Sequence, residues 1–512
     1  MNKILWADDE IDLLKPHILF LNSKGYDVTT ANNGIDAIKS IKQHNDFDLV
    51  ILDENMPGIS GLDTLSIIKE CAPQMPIIMI TKSEEENIMD KAIGSKISDY
   101  LIKPVNPRQI LLSIKKLLHS SELVTSHSTD EYRQDFSKIT SLINESYSLS
   151  DWKSLYRKIV YWELELSLAS TNMDQMLELQ KNEANSTFAK FIKRNYSNLI
   201  DSNDELMSHN LMNNIVFPLI DSGDKAFFIL IDNFRFDQWC IIRQTLSEYF
   251  NYDENICCSI LPTATQYSRN AIFSGLMPNQ IARIYPDLWI EENEEESKNS
   301  NEETFIREYL SRTKRNIKFS YNKINDNTAG ERLIQNISSL SNNELNVIIF
   351  NFIDMMSHAR TESRMMRELA STNAAYRSIT ESWFKHSSAL ELFKTLANKN
   401  YKIVLTSDHG TIKVENAVKI VGDRNTNTNL RYKVGKNLNH NSKQVYEINR
   451  PADFGLPSPN VSSTYVFATN RDFFAYPNNY NHYVQYYTDT FQHGGISLEE
   501  MFVPAIVLTP KK

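Results

Sequence analysis

The sequence predicts a multidomain α/β protein in which two modules of alternating strands and helices flank an all-helical segment. Short apolar runs alternate with helix-period segments over residues 1–119, and the same alternation returns from residue 223 onward. The intervening stretch has helical periodicity and no proline between Ser120 and Phe217. Strands that alternate with helices favour a parallel sheet covered on both faces, whereas long proline-free helical periodicity favours a bundle.

Composition narrows the classes of protein to which this chain can belong. Its 512 residues are too many for one hydrophobic core, so we divide it into segments 1–119, 120–222 and 223–512. A net charge of −10 argues against a protein that coats nucleic acid broadly. The sequence has neither a bilayer-spanning apolar run nor a signal-peptide core at its start, so we expect a cytoplasmic protein. Its four cysteines lack metal-site spacing and are expected to be reduced thiols.

In the first module, polar residues stand where the predicted strands end. The runs KILWAD, DVTTA, LVILD, PIIMIT and DYLIK predict five strands. Open parallel sheets place their sites at the carboxyl ends of the strands. Phosphorylation of a carboxylate needs a divalent cation, a reactive Asp and a positive charge beside the phosphoryl group. The residues at this predicted edge are Asp8, Asp9, Asp53, Thr81 and Lys103.

This first module resembles the receiver domain of two-component response regulators. The resemblance covers residues 1–119 through ADDE, ILDENMPG, IMITK and DYLIKP. It implies a phosphoryl group received from a cognate sensor histidine kinase, and a homodimer that forms on phosphorylation. The implied roles are phosphoacceptor for Asp53, Mg²⁺ binding for Asp8, Asp9, Asp53 and Asn55, switching for Thr81 and Tyr100, and phosphoryl contact for Lys103.

The middle segment carries a stripe of large apolar residues at helical spacing. This stripe predicts a buried helix face that packs against neighbouring elements. Ser128 with Glu131, and Ser202 with Glu205, have the spacing of a capping box and predict helix starts at the two serines. The stripe consists of Trp152, Leu155, Tyr156, Ile159, Trp162 and Leu166.

In the third segment, ligand-type residues again follow strand-like runs. The runs AFFILID, VIIFNFID and KIVLTSD predict buried strands. Two Asp/His pairs, a further Asp, a further His and one hydroxyl are enough to bind two divalent cations around a Thr nucleophile. Asp, His and hydroxyl ligands suit Zn²⁺ or Mn²⁺. The candidate residues are Asp232, Thr265, Asp354, His358, Asp408, His409 and His493.

Residues 223–510 resemble the alkaline phosphatase superfamily, and within it the PglZ-type branch. IDNFRFD, LPTATQYSRNAIFSGLMP, NFIDMMSH, TSDHG and QHGGISLEEMFVP carry this resemblance. It implies a nucleophile at Thr265, with Thr263 as the alternative. It further implies two metal sites, one formed by Asp232, Thr265, Asp408 and His409 and the other by Asp354, His358 and His493.

The order of receiver, helical segment and PglZ-type domain is similar to response regulators of the PorX type. That resemblance implies a link to type IX secretion, with secretion-motor components and a sigma factor as partners. Within this superfamily we expect a metal-dependent phosphodiesterase acting on nucleotide or oligonucleotide substrates. The Cys-x-Pro-x-Arg setting of sulfatases is absent, and no third acidic ligand set of the kind found in monoesterases of this fold is evident in the sequence. Arg235 and Arg269 are candidates for a phosphate clamp, and a structural ion pair is the equal alternative for each.

Two other functions compete with regulated catalysis. A signalling adaptor would keep its metals for partner docking rather than turnover. A DNA-binding transcription factor is a common effector type for receiver proteins, but no basic recognition helix is evident in the sequence.

Overall fold

The computed structural model describes residues 2–43, 46–82, 97–118, 120–169, 173–202, 204–291, 299–362, 364–423, 426–458, 460 and 462–511. The chain divides into two compact units, Met1–Glu131 and Tyr132–Lys512. None of the helices in these ranges is long and apolar enough to cross a bilayer.

The first unit contains the predicted parallel sheet, with its five strands in the order β2-β1-β3-β4-β5. Alternate residues of β1 face opposite sides, so that Leu5 and Ala7 enter one apolar core while Ile4 and Trp6 enter another. Burial of both faces explains the continuous apolar runs in the sequence. The strands β1 to β5 are Asn2–Ala7, Tyr26–Ala31, Leu49–Asp53, Ile77–Thr81 and Asp99–Ile102, and the helices α1 to α4 are Lys15–Ser23, Gly34–Gln43, Gly61–Cys71 and Pro107–Leu118.

The middle segment is helical, as its periodicity predicts. It forms helices α5 (Ser120–Glu145), α6 (Leu149–Ala169) and α7 (Met173–Asp201). All six residues of the apolar stripe are buried, each at most 3% exposed. Tyr156 of this stripe packs against the rings of Phe236 and Phe502, so α6 shares one core with the third segment.

The predicted helix starts at Ser128 and Ser202 are wrong. Helix α5 runs through Ser128, and α7 ends at Asp201, one residue before Ser202. A Ser/Glu pair caps a helix only where the backbone at Ser is extended, and this short pattern does not specify that conformation.

The third segment forms a six-stranded sheet in the order β7-β19-β10-β6-β9-β8. Strands β10, β6, β9 and β8 are parallel, whereas β19 runs antiparallel to β10 and β7 runs antiparallel to β19. The strands β6 to β19 are Ala226–Ile231, Phe250–Cys258, Phe319–Ile324, Leu345–Phe350, Lys402–Thr406, Ile412–Lys413, Asn416–Val421, Tyr432–Gly435, Asn439–His440, Val445–Ile448, Thr464–Ala468, Asp472–Ala475, Phe491–Gln492 and Phe502–Pro510.

Helices cover this sheet, and small β-sheets extend from its carboxyl edge. Strands β11 to β18 form two three-stranded sheets and one two-stranded sheet between β10 and β19. The polar stretch 422–447 lies within this insertion. The helices α8 to α19 are Phe217–Asp221, Phe236–Leu246, Thr265–Ser274, Pro278–Ile284, Glu302–Arg312, Asn327–Gln335, Phe352–Glu362, Arg364–Leu369, Asn373–His386, Ser388–Asn398, Tyr480–Tyr487 and Leu498–Met501.

Candidate metal centres and active site

Three neighbouring parallel strands of the large sheet bring the candidate ligands to one edge. Asp232 directly follows β6, Asp408 follows β10 after one intervening residue, and Asp354 lies in the first turn of α14, just after β9. The carboxyl edge of a parallel sheet is where ligands bind in open α/β folds. The fold therefore places carboxylates from three separate segments side by side.

The first cluster consists of Asp232, Asp408 and His409, whose ligand-type atoms lie within 4.8 Å of one another. His409 Nε2 is 3.9 Å from an oxygen of each carboxylate, and all three residues are buried. Thr265, the first residue of α10, lies partly exposed with its Oγ1 3.0 Å from His409 Nε2. The hydroxyl of a partly exposed threonine thus adjoins a buried set of O and N donors.

The second cluster consists of Asp354, His358 and His493, again with donor atoms within 4.8 Å. Asp354 Oδ2 lies 3.4 Å from His358 Nε2, and Asp354 Oδ1 lies 3.9 Å from His493 Nε2. The rings of His493 and His409 stack at a centroid distance of 4.1 Å, so the two clusters are adjacent. The structure thus brings together the same two groups of Asp and His residues that the family resemblance implies.

Asn233 connects the two clusters, and sequence reasoning did not identify it. Its backbone N–H donates to Asp408 Oδ1, and its side-chain Nδ2 donates to Asp354 Oδ1, each over 3.3 Å. Asn233 is buried in the left-handed region with φ of 61°, a conformation that asparagine tolerates better than most residues. Its position directly after Asp232 was the only signal available in the sequence.

Thr263 and Thr265 occupy different positions relative to the clusters. Thr263 is buried, its hydroxyl donates to Gly495 O over 2.9 Å, and its carbonyl contacts His493 Nδ1 over 3.1 Å. These contacts fix the loop that carries His493. Because they engage Nδ1 of the ring, its Nε2 faces Asp354. Thr263 therefore positions a candidate ligand, whereas Thr265 faces the site.

Glycines allow close backbone approach around both histidine loops. A Cβ at Gly410, directly after His409, would collide with the carbonyl oxygen of Glu499. Gly494, directly after His493, has φ of +118°, which side-chain-bearing residues rarely adopt. The glycines in DHG and HGG are thus required by the geometry of the two loops.

Buried carboxylates in this site have opposite pKa shifts. Burial, together with the neighbouring charges of Asp408 and Asp354, raises the pKa of Asp232 well above its ordinary value although Arg269 opposes this. Burial also acts to raise the pKa of Asp354, but the hydrogen bond from His358 lowers it below its ordinary value. Burial lowers the pKa of His493 to about 3, which keeps its imidazole neutral and able to ligate a metal.

The donor set fits divalent cations. Asp232 Oδ1 is buried and has no hydrogen-bond partner within the described part of the chain. An ionised carboxylate left in this way is costly, and a bound cation would remove the cost. Asp and His with one hydroxyl are ligands suited to Zn²⁺ or Mn²⁺.

Arg269 and Arg235 both lie in buried ion pairs. Arg269 contacts Asp232, Asp408 Oδ2 over 2.9 Å, and Glu302 Oε1 over 3.3 Å. Its guanidinium thus lies on the carboxylates of the first cluster. Arg235 pairs with Asp237 over 2.6 Å, and the rings of Tyr376 and Phe491 lie near its guanidinium group. These contacts favour the ion-pair alternative for Arg235.

A buried polar network joins the middle helices to the short helix α19, which follows the loop that carries His493. Asn185 of α7 donates to Glu499 Oε2 over 2.9 Å and accepts from the Leu498 backbone N–H over 2.7 Å. Lys181, one turn earlier, pairs with Glu163 over 2.6 Å. The residues of this network are distant in sequence, so no local pattern could have revealed it.

The first unit has its own acidic cluster, formed by Asp8, Asp9 and Asp53. Lys103 Nζ lies 2.9 Å from Asp8 Oδ2 and 2.8 Å from Asp53 Oδ1. Burial raises the pKa of Asp53, an effect that Lys103 partly offsets. The backbone N–H of Asn55 donates to Asp53 Oδ2 over 3.2 Å. Three carboxylates and one lysine carry a net negative charge when ionised, which a hard divalent cation such as Mg²⁺ would neutralise.

The predicted switch residues lie on neighbouring strands, Thr81 at the end of β4 and Tyr100 near the start of β5. Thr81 is buried, and its side chain hydrogen-bonds the hydroxyl of Tyr100. The arrangement connects the end of β4 to the half-buried ring on β5.

Comparisons with known proteins agree with this architecture. The response regulator receiver domain matches residues 4–115, the PorX response regulator linker domain residues 122–200, and the BREX system PglZ alkaline phosphatase-like domain residues 211–508. The last match alone covers more than half of the chain.

Among curated proteins, the CpxR homolog of Haemophilus influenzae, a transcriptional regulatory protein, is 35% identical over 123 residues, 24% of this chain and 52% of that protein. The alkaline phosphatase synthesis transcriptional regulatory protein PhoP of Bacillus subtilis is 30% identical over 183 residues, 35% of this chain and 72% of that protein. The chain thus spans about half the length of the first relative and 72% of the length of the second.

Among solved structures, the response regulator TrrA of Thermotoga maritima, in complex with Mg²⁺-BeF, is 34% identical, with coverage of 23% of this chain and 100% of that chain at a TM-score of 0.22. The PglZ match over residues 211–508 shows that the chain belongs to the family of the PglZ alkaline phosphatase-like domain. Together with the two other domain matches, it makes the chain a PorX-like response regulator in which this domain follows a receiver domain and a linker domain.

Proposed function

We propose that the third segment is a phosphodiesterase that uses two divalent cations, Zn²⁺ or Mn²⁺, and Thr265 as nucleophile on nucleotide or oligonucleotide substrates. The observation that carries the proposal is the pair of adjacent Asp/His clusters beside the hydroxyl of Thr265, a partly exposed residue. Asp232, Thr265, Asp408 and His409 would bind one cation. Asp354, His358 and His493 would bind the other.

The chain's own residues suit an in-line displacement at phosphorus. When bound, the two cations would neutralise the phosphoryl oxygens and lower the pKa of the attacking hydroxyl. Thr265 Oγ1 would lose its proton and bond to phosphorus, while the bond to the leaving oxygen breaks and that oxygen takes up a proton. Water would then cleave the threonine ester, which restores the hydroxyl and releases the phosphate monoester.

The receiver domain would control this activity. Asp53 would accept a phosphoryl group from a cognate sensor histidine kinase with Mg²⁺ bound by Asp8, Asp9, Asp53 and the Asn55 backbone. Lys103 would contact the phosphoryl group, and Thr81 with Tyr100 would change the surface that forms a homodimer. The middle segment matches the linker domain of PorX response regulators. On the resemblance to that type of regulator, the proposal extends to a cytoplasmic role linked to type IX secretion, with motor components and a sigma factor as partners.

Hydrolysis of bis-p-nitrophenyl phosphate and a short oligonucleotide, with Zn²⁺ or Mn²⁺ added, tests the proposal. We expect turnover by the wild type, a loss of at least a hundredfold in Thr265→Ala, and altered regulation by an acyl-phosphate mimic in Asp53→Ala. A protein that binds two ions but turns over neither substrate would instead be a signalling adaptor. Thr263→Ala distinguishes the two threonines, because it should disturb the His493 loop without removing the nucleophile.

A further inference from the structure

A cavity of about 550 Å³ lies at the carboxyl edge of the large sheet, beside the second cluster. Ile324 and Phe350, the last residues of β8 and β9, line it. Phe350 pairs in register with Ile231 of β6, the residue before Asp232. Neighbouring strands lie about 5 Å apart, so the cavity begins roughly 5–10 Å from the strand that carries Asp232. A sugar spans a comparable gap between a base and its phosphate.

Helix α14 connects the cavity to the candidate metal site. Phe352 and Met355 line the cavity and are three residues apart on the helix. Asp354 and His358, four residues apart, belong to the second cluster. Residues three or four apart share a helix face, so α14 presents one face to the cavity and another to the cluster. A ligand in the cavity would therefore lie against the helix that positions Asp354.

The wall of the cavity is aromatic. Phe352 and Trp383 stack in parallel with centroids 4.9 Å apart, and Phe350 meets Trp383 edge-on at 5.9 Å. Met355, which is 51% exposed, lies at the mouth. Flat aromatic ligands gain most from such a surface, because rings and thioethers stack on them at little entropic cost.

The rim carries neutral hydrogen-bonding groups and one carboxylate. Asn325, Asn327 and His386 are exposed there, and Asp326 stands between the two asparagines. No Arg or Lys occurs among the described residues that line the cavity. This chemistry disfavours a phosphate group, and it matches the donors and acceptors on the edge of a nucleobase.

We propose that this cavity binds a nucleobase of the phosphodiester substrate. The inference rests on the proposed phosphodiesterase function and adds to it a binding site for the base of the nucleotide substrate. The base stacks on the wall formed by Phe352 and Trp383, its edge meets the amides of the rim, and its phosphate reaches the two clusters. The cavity thereby selects nucleotide diesters over alkyl diesters.

A comparison of two substrates tests the cavity separately from the catalytic site. Adenylyl-adenosine carries a base on each side of its phosphodiester, whereas methyl p-nitrophenyl phosphate carries no base. The ratio of their kcat/KM values measures the contribution of base binding. Stacking contributes about 1–3 kcal/mol per base, so Trp383→Ala should lower this ratio roughly 5- to 150-fold.

Two further variants make the test decisive. Met355→Trp fills the mouth of the cavity and leaves Trp383 in place, so it should lower the ratio in the same direction. Tyr147→Ala removes an aromatic side chain that is 79% exposed and remote in sequence from the cavity, and it should leave the ratio unchanged. Trp383→Phe keeps a stacking ring and should retain most of the wild-type ratio.

Fluorescence titration with AMP gives a readout that needs no turnover. Trp383 is one of six tryptophans, and a base stacked on the cavity wall should quench its emission in the wild type but not in Trp383→Phe. Turnover of both substrates with an unchanged ratio in Trp383→Ala and Met355→Trp would overturn the cavity proposal and leave the phosphodiesterase intact. AMP quenching without any turnover would support the cavity and contradict the phosphodiesterase. Absence of both would overturn the two together.

Discussion

Replacement of Glu163 by Gln should destabilise the second unit, because Glu163 neutralises two buried cations. Its carboxylate lies 2.6 Å from Lys181 Nζ and 2.5 Å from Arg377 Nη1, and both cationic side chains are only 4% exposed. Burial acts to raise the pKa of Glu163, but Lys181 and Arg377 lower it well below its ordinary value. The ionised form is thus stabilised in the folded protein.

We expect Glu163→Gln to lower the free energy of unfolding of the second unit by about 2–3 kcal/mol. Removal of one partner of a buried ion pair costs about 3–5 kcal/mol. Here Lys181 keeps Glu499 at 3.6 Å and Arg377 keeps Asp237 at 3.2 Å, so part of the compensation remains. For the residues from Tyr132 to Lys512, the entropy of unfolding is about 0.8 kcal/mol/K, which gives a decrease in Tm of roughly 3–4 °C.

Differential scanning calorimetry at pH 7 measures this shift on the full chain. Because the folded-state pKa of Glu163 is depressed, its stabilisation is present above the unfolded pKa and is lost as the pH falls. The difference between wild type and Glu163→Gln should therefore shrink below about pH 4.5. Lys138→Ala, which breaks an exposed pair with Asp135, is the control and should change stability by less than about 0.5 kcal/mol. An unchanged Tm of Glu163→Gln at pH 7 would refute the reasoning.

Three further predictions concern the two candidate sites. Arg269→Met leaves the carboxylates of the first cluster without their guanidinium. Calorimetry of the metal-free protein should detect a decrease of about 3–5 kcal/mol in the free energy of unfolding, and Zn²⁺ should partly restore it. A decrease that Zn²⁺ does not change would contradict this prediction. His493 has its pKa depressed to about 3 in the folded protein. In metal-free protein the unfolded state therefore takes up a proton at His493 below about pH 6.5 that the folded state does not bind, and this lowers the stability progressively as the pH falls. Relative to wild type, His493→Gln should gain about 2 kcal/mol between pH 6.5 and pH 5 in denaturant titrations, and a constant difference would exclude this effect. Mg²⁺ at a hundredfold excess over its Kd should increase the free energy of unfolding of the receiver domain by about 3 kcal/mol and so raise its Tm. The increase should be much smaller in Asp53→Asn.

The strands and the buried helix face could be predicted because each follows from a local pattern. The runs that became β6, β9 and β10 are apolar throughout, since both faces of the sheet are covered. The stripe from Trp152 to Leu166 has helical periodicity, and the structure buries it. The candidate ligands were visible for a similar reason, because they stand directly after such strands.

The remaining features depend on contacts between distant segments. Nothing local indicates that Arg269 lies on Asp232 and Asp408, or that Asn185 contacts helix α19 more than 300 residues later. The cavity wall likewise combines Phe352 with Trp383, which are brought together only by the packing of α14 and α16. The capping-box spacing at Ser128 was misleading because its three-residue pattern also occurs within a continuous helix.

Covalent trapping tests the central claim most directly, which is that Thr265 is the nucleophile of a two-metal phosphodiesterase. The protein would be mixed with Zn²⁺ and a short oligonucleotide, quenched in acid during turnover, digested and analysed by peptide mass spectrometry. We predict a nucleotidyl mass increment on the peptide that contains Thr265, localised to that residue and absent from Thr265→Ala. Continued turnover by Thr265→Ala at the wild-type rate, without any increment on this peptide, would contradict the account.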